Sequence, residues 1–332
     1  MRVVERSKVK IIVLFGLSAV LFLTGEGLAA GADYPSRPVT IYSGMSPGAA
    51  AGVSAQIFCD AVQKHLAKPQ PFLVNFKPGA NGMVALDYFV KQPADGQNLF
   101  WLTPENTLSL AKDPQKFSFT LKDFSFIGTL AYSPFVMAVK KDSAYKTFED
   151  FVDFAKKHPG DFSIGLTGIG AQNHLVAELL MMKLGIKLTL APFAGGAPAV
   201  VALLGAHISC YIGSIGSMSS HLKPEGMLRA LVIFDSKRAP ELPDVPTYKE
   251  KGIDIERVTY MVCLAKKGTP KPILDTLSKL FKQTADEQNV KAALVNAGFV
   301  PLNLGPEETE KKVSQDFDMA SEVFKKLGLA GK

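Results

Sequence analysis

The sequence predicts an α/β protein built as two domains. Three observations lead there. Short β-prone runs alternate with helical runs along nearly the whole chain. Several of those strand ends open into Gly- and Ser-rich loops that turn straight into a helix. The 300 residues that follow residue 32 of the 332 are enough to bury two cores.

The chain begins with the features of an export signal. Arg2, Arg6, Lys8 and Lys10 form a basic head, an apolar run follows over 11–23, and Ala30-Gly31-Ala32 is an A-x-A cleavage site. Residues 1–32 are therefore expected to be removed, with the mature protein exported and soluble. Its formal charge falls from +6 to +4, because the segment carries four basic and two acidic residues. Basic residues are spread rather than bunched, which argues a solvated surface and no nucleic-acid groove.

The first structural unit organises the rest. Val39–Ser43 is a strand, Gly44-Met45-Ser46-Pro47-Gly48 breaks it, and apolar residues at helical spacing (Val53, Ile57, Ala61, Leu66) follow over 49–66. A strand that turns directly into a helix presents unpaired N–H groups and the positive end of the helix dipole. That is a seat for an anion with no Lys or Arg needed. Ser43, Met45, Ser46, Gly48, Ala49 and Gly52 are the candidates at this corner.

Phe72–Phe76 is the next strand, and Asn81 is expected to cap the helix that follows. Asn98–Leu102 leads into a polar loop over 103–107, where Thr103 and Asn106 are candidate ligand contacts and Glu105 is the acidic residue. Strand runs follow over 124–128 and 135–140, and Thr147 starts the helix Phe148–Lys157 as a capping box. The opening pattern then returns. A strand at 162–166 gives Gly168-Ile169-Gly170-Ala171-Gln172-Asn173 and a helix from His174, so Gly168, Gly170, Gln172 and Asn173 form a second seat. Strands at 188–191 and 208–212 open into loops carrying Phe193, Gly195 and Ser214, three more candidates. Strands at 228–234 and 258–264, a helix ending near 285 and an amphipathic helix over 306–327 complete the chain. In an open parallel sheet, such strand ends share the edge where ligands bind.

Enzyme signatures fail on chemistry. Gly44-Met45-Ser46-Pro47-Gly48 fits G-x-S-x-G, yet the residue after the serine must donate its N–H to the oxyanion, and Pro47 has none. Gly168-Ile169-Gly170 lacks the third glycine of a dinucleotide fingerprint. The five histidines form no metal-binding motif, so neither a metal nor another cofactor is expected. Cys59, Cys210 and Cys263 are an odd set with no metal-ligand spacing, read as buried small hydrophobes with one disulfide left open.

Motifs along nearly all of the mature chain resemble the substrate-binding receptors of the tripartite tricarboxylate transporters, the Bug proteins. They include Tyr34-Pro35-Ser36-Arg37-Pro38-Val39, Pro78-Gly79-Ala80-Asn81-Gly82 and Pro93-Ala94-Asp95-Gly96. Others are Pro192-Phe193-Ala194-Gly195-Gly196-Ala197-Pro198, Leu228-Arg229-Ala230-Leu231 and Arg238-Ala239-Pro240-Glu241-Leu242-Pro243-Asp244-Val245-Pro246-Thr247. The resemblance implies a periplasmic-binding-protein fold of the type II kind, with two α/β lobes closing on a ligand in the cleft between them. One lobe is expected to comprise 33–132 and 256–332, the other 133–255, with crossing strands near 135–140 and 258–264. It also implies a small organic carboxylate as ligand, delivery to membrane permease subunits, and no chemistry; a monomer is expected.

Two departures bear on specificity. Family members usually carry a second Gly and then an Asp in the first loop, where this chain has Ala49 and Gly52. Where an Asp commonly follows the strand ending at Ile212, this chain has Gly213 and Ser214. Fewer carboxylates lower repulsion toward a polyanion or leave room for a bulkier apolar acid. A sensory binding protein acting through a signalling partner is the alternative, and a serine hydrolase using Ser46 a remote one.

Overall fold

The computed structural model describes residues 34–193 and 195–331. The expected export segment, residues 1–32, lies outside the described residues. Ten strands among the described residues form one continuous mixed sheet. They are β1 (Val39–Ser43), β2 (Phe72–Phe76), β3 (Asn98–Leu102), β4 (Phe124–Lys140), β5 (Ser163–Leu166), β6 (Thr189–Pro192), β7 (Cys210–Ser214), β8 (Leu228–Ile233), β9 (Val258–Lys266) and β10 (Val300–Leu304). The helices are α1 (Ala50–Val62), α2 (Met83–Val90), α3 (Pro104–Lys112), α4 (Phe148–Lys157), α5 (Gln172–Leu184), α6 (Gly196–Leu204), α7 (Ile215–Leu222), α8 (Lys271–Asp286), α9 (Gln288–Asn296) and α10 (Pro306–Lys326).

Everything is arranged about β4. The two runs expected over 124–128 and 135–140 are one strand of 17 residues. Its first part pairs with β9, ending at Pro134 opposite Val258, and its second part pairs with β7, starting at Phe135 opposite Ser214. Pro134 has no N–H to give, so it sits where one partner ends and the next begins. The sheet order β2-β1-β3-β9-β4-β7-β5-β6 therefore divides at that point.

Register fixes what faces what. β1, β2 and β3 are mutually parallel, and β3 runs antiparallel to β9 with Leu102 opposite Val262, so these strands end pointing toward the Pro134 level. β5, β6 and β7 are parallel to one another and antiparallel to β4, with Ser214 opposite Phe135. Their carboxyl ends point at the same level from the other side. Two sets of strand-end loops thus confront each other across the midpoint of β4.

Packing follows the period-2 alternation of the strands. On one side of the midpoint, Ile41, Trp101 and Cys263 face α1, α8 and α9, while Phe100, Leu102 and Tyr260 face α2, α3 and α10. On the other, Phe135, Met137, Cys210 and Ile212 face α4 and α5, and Val136, Ala138 and Tyr211 face α6 and α7. Leu108 of α3, Leu175 of α5 and Phe324 of α10 join the two halves in a small cluster. The three cysteines are free and buried. Among the described residues no helix is long and apolar enough to cross a membrane, and no His, Cys, Asp and Glu cluster suits a metal.

Candidate functional site

The first corner runs from β1 into α1. Ser43 is fully buried, and its Oγ accepts the Met45 N–H at 3.4 Å. Gly44 is pressed against the loop after β2: a Cβ there would lie 2.3 Å from Gly82 Cα. Gly48 turns the chain at φ +81°, Ser46 is exposed, and the Ala49 N–H closes onto the Ser46 carbonyl at 3.1 Å. Helix α1 then starts without a side-chain cap and without an acidic residue in its first turn. The N–H groups of Ala50, Ala51 and Gly52 consequently lack acceptors within the helix. Gly52 leaves room for the Phe76 ring, whose Cε1 would lie 2.9 Å from a Cβ.

Asn81 and the 103–107 segment depart from expectation. Asn81 does not cap α2; Gly82 occupies that position in the left-handed region at φ +83°. The polar stretch after β3 is not a loop but the first turn of α3, begun by Thr103 and Pro104. Asn106 fixes both segments, because its Oδ1 accepts the Thr103 N–H at 3.0 Å and its Nδ2 donates to the Asn81 carbonyl at 3.1 Å. Thr103 and Asn106 are 1% exposed and brace the corner.

The second corner runs from β5 into α5. Gly168 and Gly170 adopt φ +142° and +83°. Asn173 ties the corner to β7: Oδ1 accepts the Thr167 N–H at 3.1 Å and Nδ2 donates to the Ile212 carbonyl at 3.1 Å. Gln172 reaches the carbonyl of Val258 on β9 at 3.3 Å. His174 Nδ1 accepts the Gly170 N–H at 3.0 Å, which puts the neutral ring's proton on Nε2, 3.4 Å from Glu178. Burial, opposed by Glu178 and reinforced by Lys112, holds His174 below its ordinary pKa. The Gly170 and Ala171 N–H groups are turned inward, toward His174 and the Gly168 carbonyl. The N–H groups without an acceptor inside the helix are therefore those of its first turn, Gln172, Asn173 and His174. Like α1, helix α5 has no side-chain cap and no early acidic residue.

The second corner lies close to segments from the other side of the β4 midpoint. A Cβ on Gly168 would come within 4.0 Å of Asn81 Oδ1, and one on Gly170 would come within 3.1 Å of Lys112 Cδ and 3.9 Å of its Nζ. Lys112 of α3 thus lies beside the second corner. Helices α6 and α7, starting after Gly195 and Ser214, add two further uncapped N-termini. Elsewhere Thr147 caps α4 and acidic residues follow it. Phe193 packs half-buried against the α6 and α7 core, its N–H on the Leu166 carbonyl at 2.8 Å.

Tyr211 went unnoticed in the sequence because it lies inside a strand. A Cβ at Gly213 would lie 2.5 Å from Tyr211 Cε1, and one at Gly196 would lie 2.9 Å from its Oη. The tyrosine fills the space beside position 213, which is the physical reason that a glycine stands there. The signal was two glycines clearing one ring, readable only once the alternation of β7 is known. Glu105 is half-buried; desolvation raises its carboxyl pKa, and its charge is felt at Tyr211 and Tyr260.

Comparison with known proteins fits this geometry. The profile of the tripartite tricarboxylate transporter family receptor matches residues 55–329. A UPF0065 protein of the gbd 5' region of Cupriavidus necator is 28% identical over 319 residues, 94% of each chain. A periplasmic transporter of solved structure is 27% identical with a TM-score of 0.82, covering 90% of this chain and 100% of that one. A TctC solute-binding protein from Polaromonas is 30% identical with a TM-score of 0.73, covering 88% and 99%. Rpa4515 and MatC of Rhodopseudomonas palustris, each 24% identical, share the fold at TM-scores of 0.80 and 0.77, with 90% and 87% of this chain and 99% of each of theirs covered. Ser46 is accordingly a corner residue and not a hydrolase nucleophile. The chain belongs to the receptor family of the tripartite tricarboxylate transporters, as a periplasmic solute-binding protein of mixed α/β fold.

Proposed function

We propose that the protein captures a small organic anion with two or more carboxylates between the corners at 46–52 and 168–174. One carboxylate is taken by the first-turn N–H groups of α1, the other by those of α5. The observation that carries this is that both helices begin uncapped and without acidic residues, at strand ends that confront each other across β4. Lys112, beside Gly170 and 4.0 Å from the Asp113 carboxylate, adds a cationic group at the second corner. Ser43, Thr103, Asn106, Asn173 and Ser214 hold the walls, with Phe193 and Met45 as apolar surface. The structure of Rpa4515 was solved with adipate and that of MatC with malate; their likeness carries the fold, and the choice of acid rests on this chain's corners.

Residues 33–132 with 256–332 form one lobe and 133–255 the other, hinged where β4 passes from β9 to β7. Closure of the lobes on the ligand makes the form presented to membrane permease subunits, and the receptor acts as a monomer. Calorimetric titration with mono-, di- and tricarboxylates tests the reading. Saturable binding of a di- or tricarboxylate, with a neutral sugar inert, is expected. Binding of the sugar with no acid bound would overturn it.

A further inference from the structure

The hinge carries an arginine that the strand-end site does not use. Arg257 immediately precedes β9. Its Nη1 donates to the Glu256 carbonyl at 2.7 Å, and its side-chain neighbour is the Met319 thioether, 3.5 Å from Nη1 and 3.4 Å from Nη2. A thioether is a weak acceptor. Arg37 and Arg238, by contrast, each reach a carboxylate, Asp95 at 2.7 Å and Glu250 at 2.6 Å.

Arg257 opens onto a cavity of about 150 Å³, roughly ten times the space that admits one water. Lys312 and Asp316 of α10 line it as well, with Lys312 Nζ 5.4 Å from the centre of the Tyr260 ring. Among the described residues neither they nor Arg257 makes an ion pair within 4.0 Å. Two hydroxyls complete the lining. Tyr260 Oη and Thr107 Oγ1 belong to residues 0% and 1% exposed and have no hydrogen-bond partner within 3.5 Å, although the Thr107 hydroxyl and the Asp316 carboxylate stand near enough to Tyr260 to act on its phenol. Buried polar atoms of this kind are satisfied in most folded proteins, so an occupant that pairs with them removes a standing cost.

We propose that this cavity binds a small zwitterion, with its carboxylate on the Arg257 guanidinium and its ammonium on Asp316. The Tyr260 and Thr107 hydroxyls complete the contacts. The charge pattern selects the class. A simple anion meets Asp316 and Glu256 as well as Arg257, and a simple cation meets Arg257 and Lys312 as well as Asp316. A molecule carrying both charges pairs Arg257 and Asp316 at once and adds no net charge to the site. Thr107 belongs to α3 and Leu175 to α5, so the occupant touches helices from both sides of the β4 midpoint. Gln172 of the second corner also lines the cavity, so the site adjoins that corner, while the charged groups that define it, Arg257 and Asp316, lie outside both corners.

Methyl-labelled methionine gives the test, because Met319 lines this cavity and Met45 lies in the first strand-end corner. The full mature chain is titrated with L-alanine, acetate and methylamine while both methyl resonances are followed. L-alanine is expected to shift Met319 saturably and leave Met45 in place. Acetate and methylamine, each able to satisfy one charge, should bind about tenfold more weakly or worse. Arg257→Met should remove the L-alanine response, and Tyr260→Phe, which keeps the ring packing, should weaken it several-fold. A thermal melt verifies that each variant is folded. No saturable shift at Met319, a response at Met45 instead, acetate binding as well as L-alanine, or an undiminished response in folded Arg257→Met would each overturn the proposal.

Discussion

Placing a fixed negative charge in the second corner separates the anion seat from ordinary scaffolding. Asn173→Asp does this with almost no change of shape. The acceptor that holds the Thr167 N–H at 3.1 Å survives, while the donor to the Ile212 carbonyl is lost. One buried carbonyl left unsatisfied costs about 1–3 kcal/mol of stability. Asn173→Ala abandons both bonds and should cost about 2–5 kcal/mol. Binding should respond in the opposite order. A carboxylate about 5.5 Å from the new charge, at an effective dielectric of ~20, is repelled by about 3 kcal/mol before salt screening. That corresponds to roughly a 5- to 150-fold loss of affinity for a dicarboxylate once screening is allowed for. Urea unfolding and calorimetric titration of both variants provide the two readouts. If Asn173→Asp binds the dicarboxylate as tightly as the native protein, the second corner does not hold an anion.

Three further outcomes follow from the same geometry. Asn106→Ala strips partners from the Thr103 N–H and the Asn81 carbonyl, so urea unfolding should show a loss of about 2–5 kcal/mol. Gly44→Ala drives a Cβ to 2.3 Å from Gly82 backbone, and melting should reveal a destabilisation of about 1–3 kcal/mol or more, because no rotamer relieves it. Glu105 has a folded-state pKa raised by desolvation, so its contribution is fully present below the unfolded pKa and is lost as pH rises through the folded value. Glu105→Gln should therefore gain stability over the native protein at neutral pH, and the gap should close on acidification. A gap that widens in acid would refute the assignment.

The sequence revealed the corners better than it revealed their wiring. Gly44–Gly48 and Gly168–Gly170 were legible because glycines between a strand and a helix have few other uses. The direction of Asn106 and Asn173 was not, since the side-chain amide of each donates to a backbone carbonyl outside its own segment, that of Asn81 and that of Ile212. Helix α3 hid behind polar residues that read as a loop, and β4 behind Pro134, which reads as a break but marks a change of partner. Helix α9 and strand β10 were missed because Val290 and Leu294 give a short apolar face and Pro301 interrupts the strand pattern. Lys112 and Tyr211 entered the site only through tertiary approach, which periodicity cannot report.

A crystal structure of the protein with a bound dicarboxylate tests the central claim most directly. Carboxylate oxygens within hydrogen-bond reach of the first-turn N–H groups of α1 at one end and of α5 at the other are the predicted result. A ligand lodged away from both helix starts, with its carboxylates on arginine side chains, would contradict it.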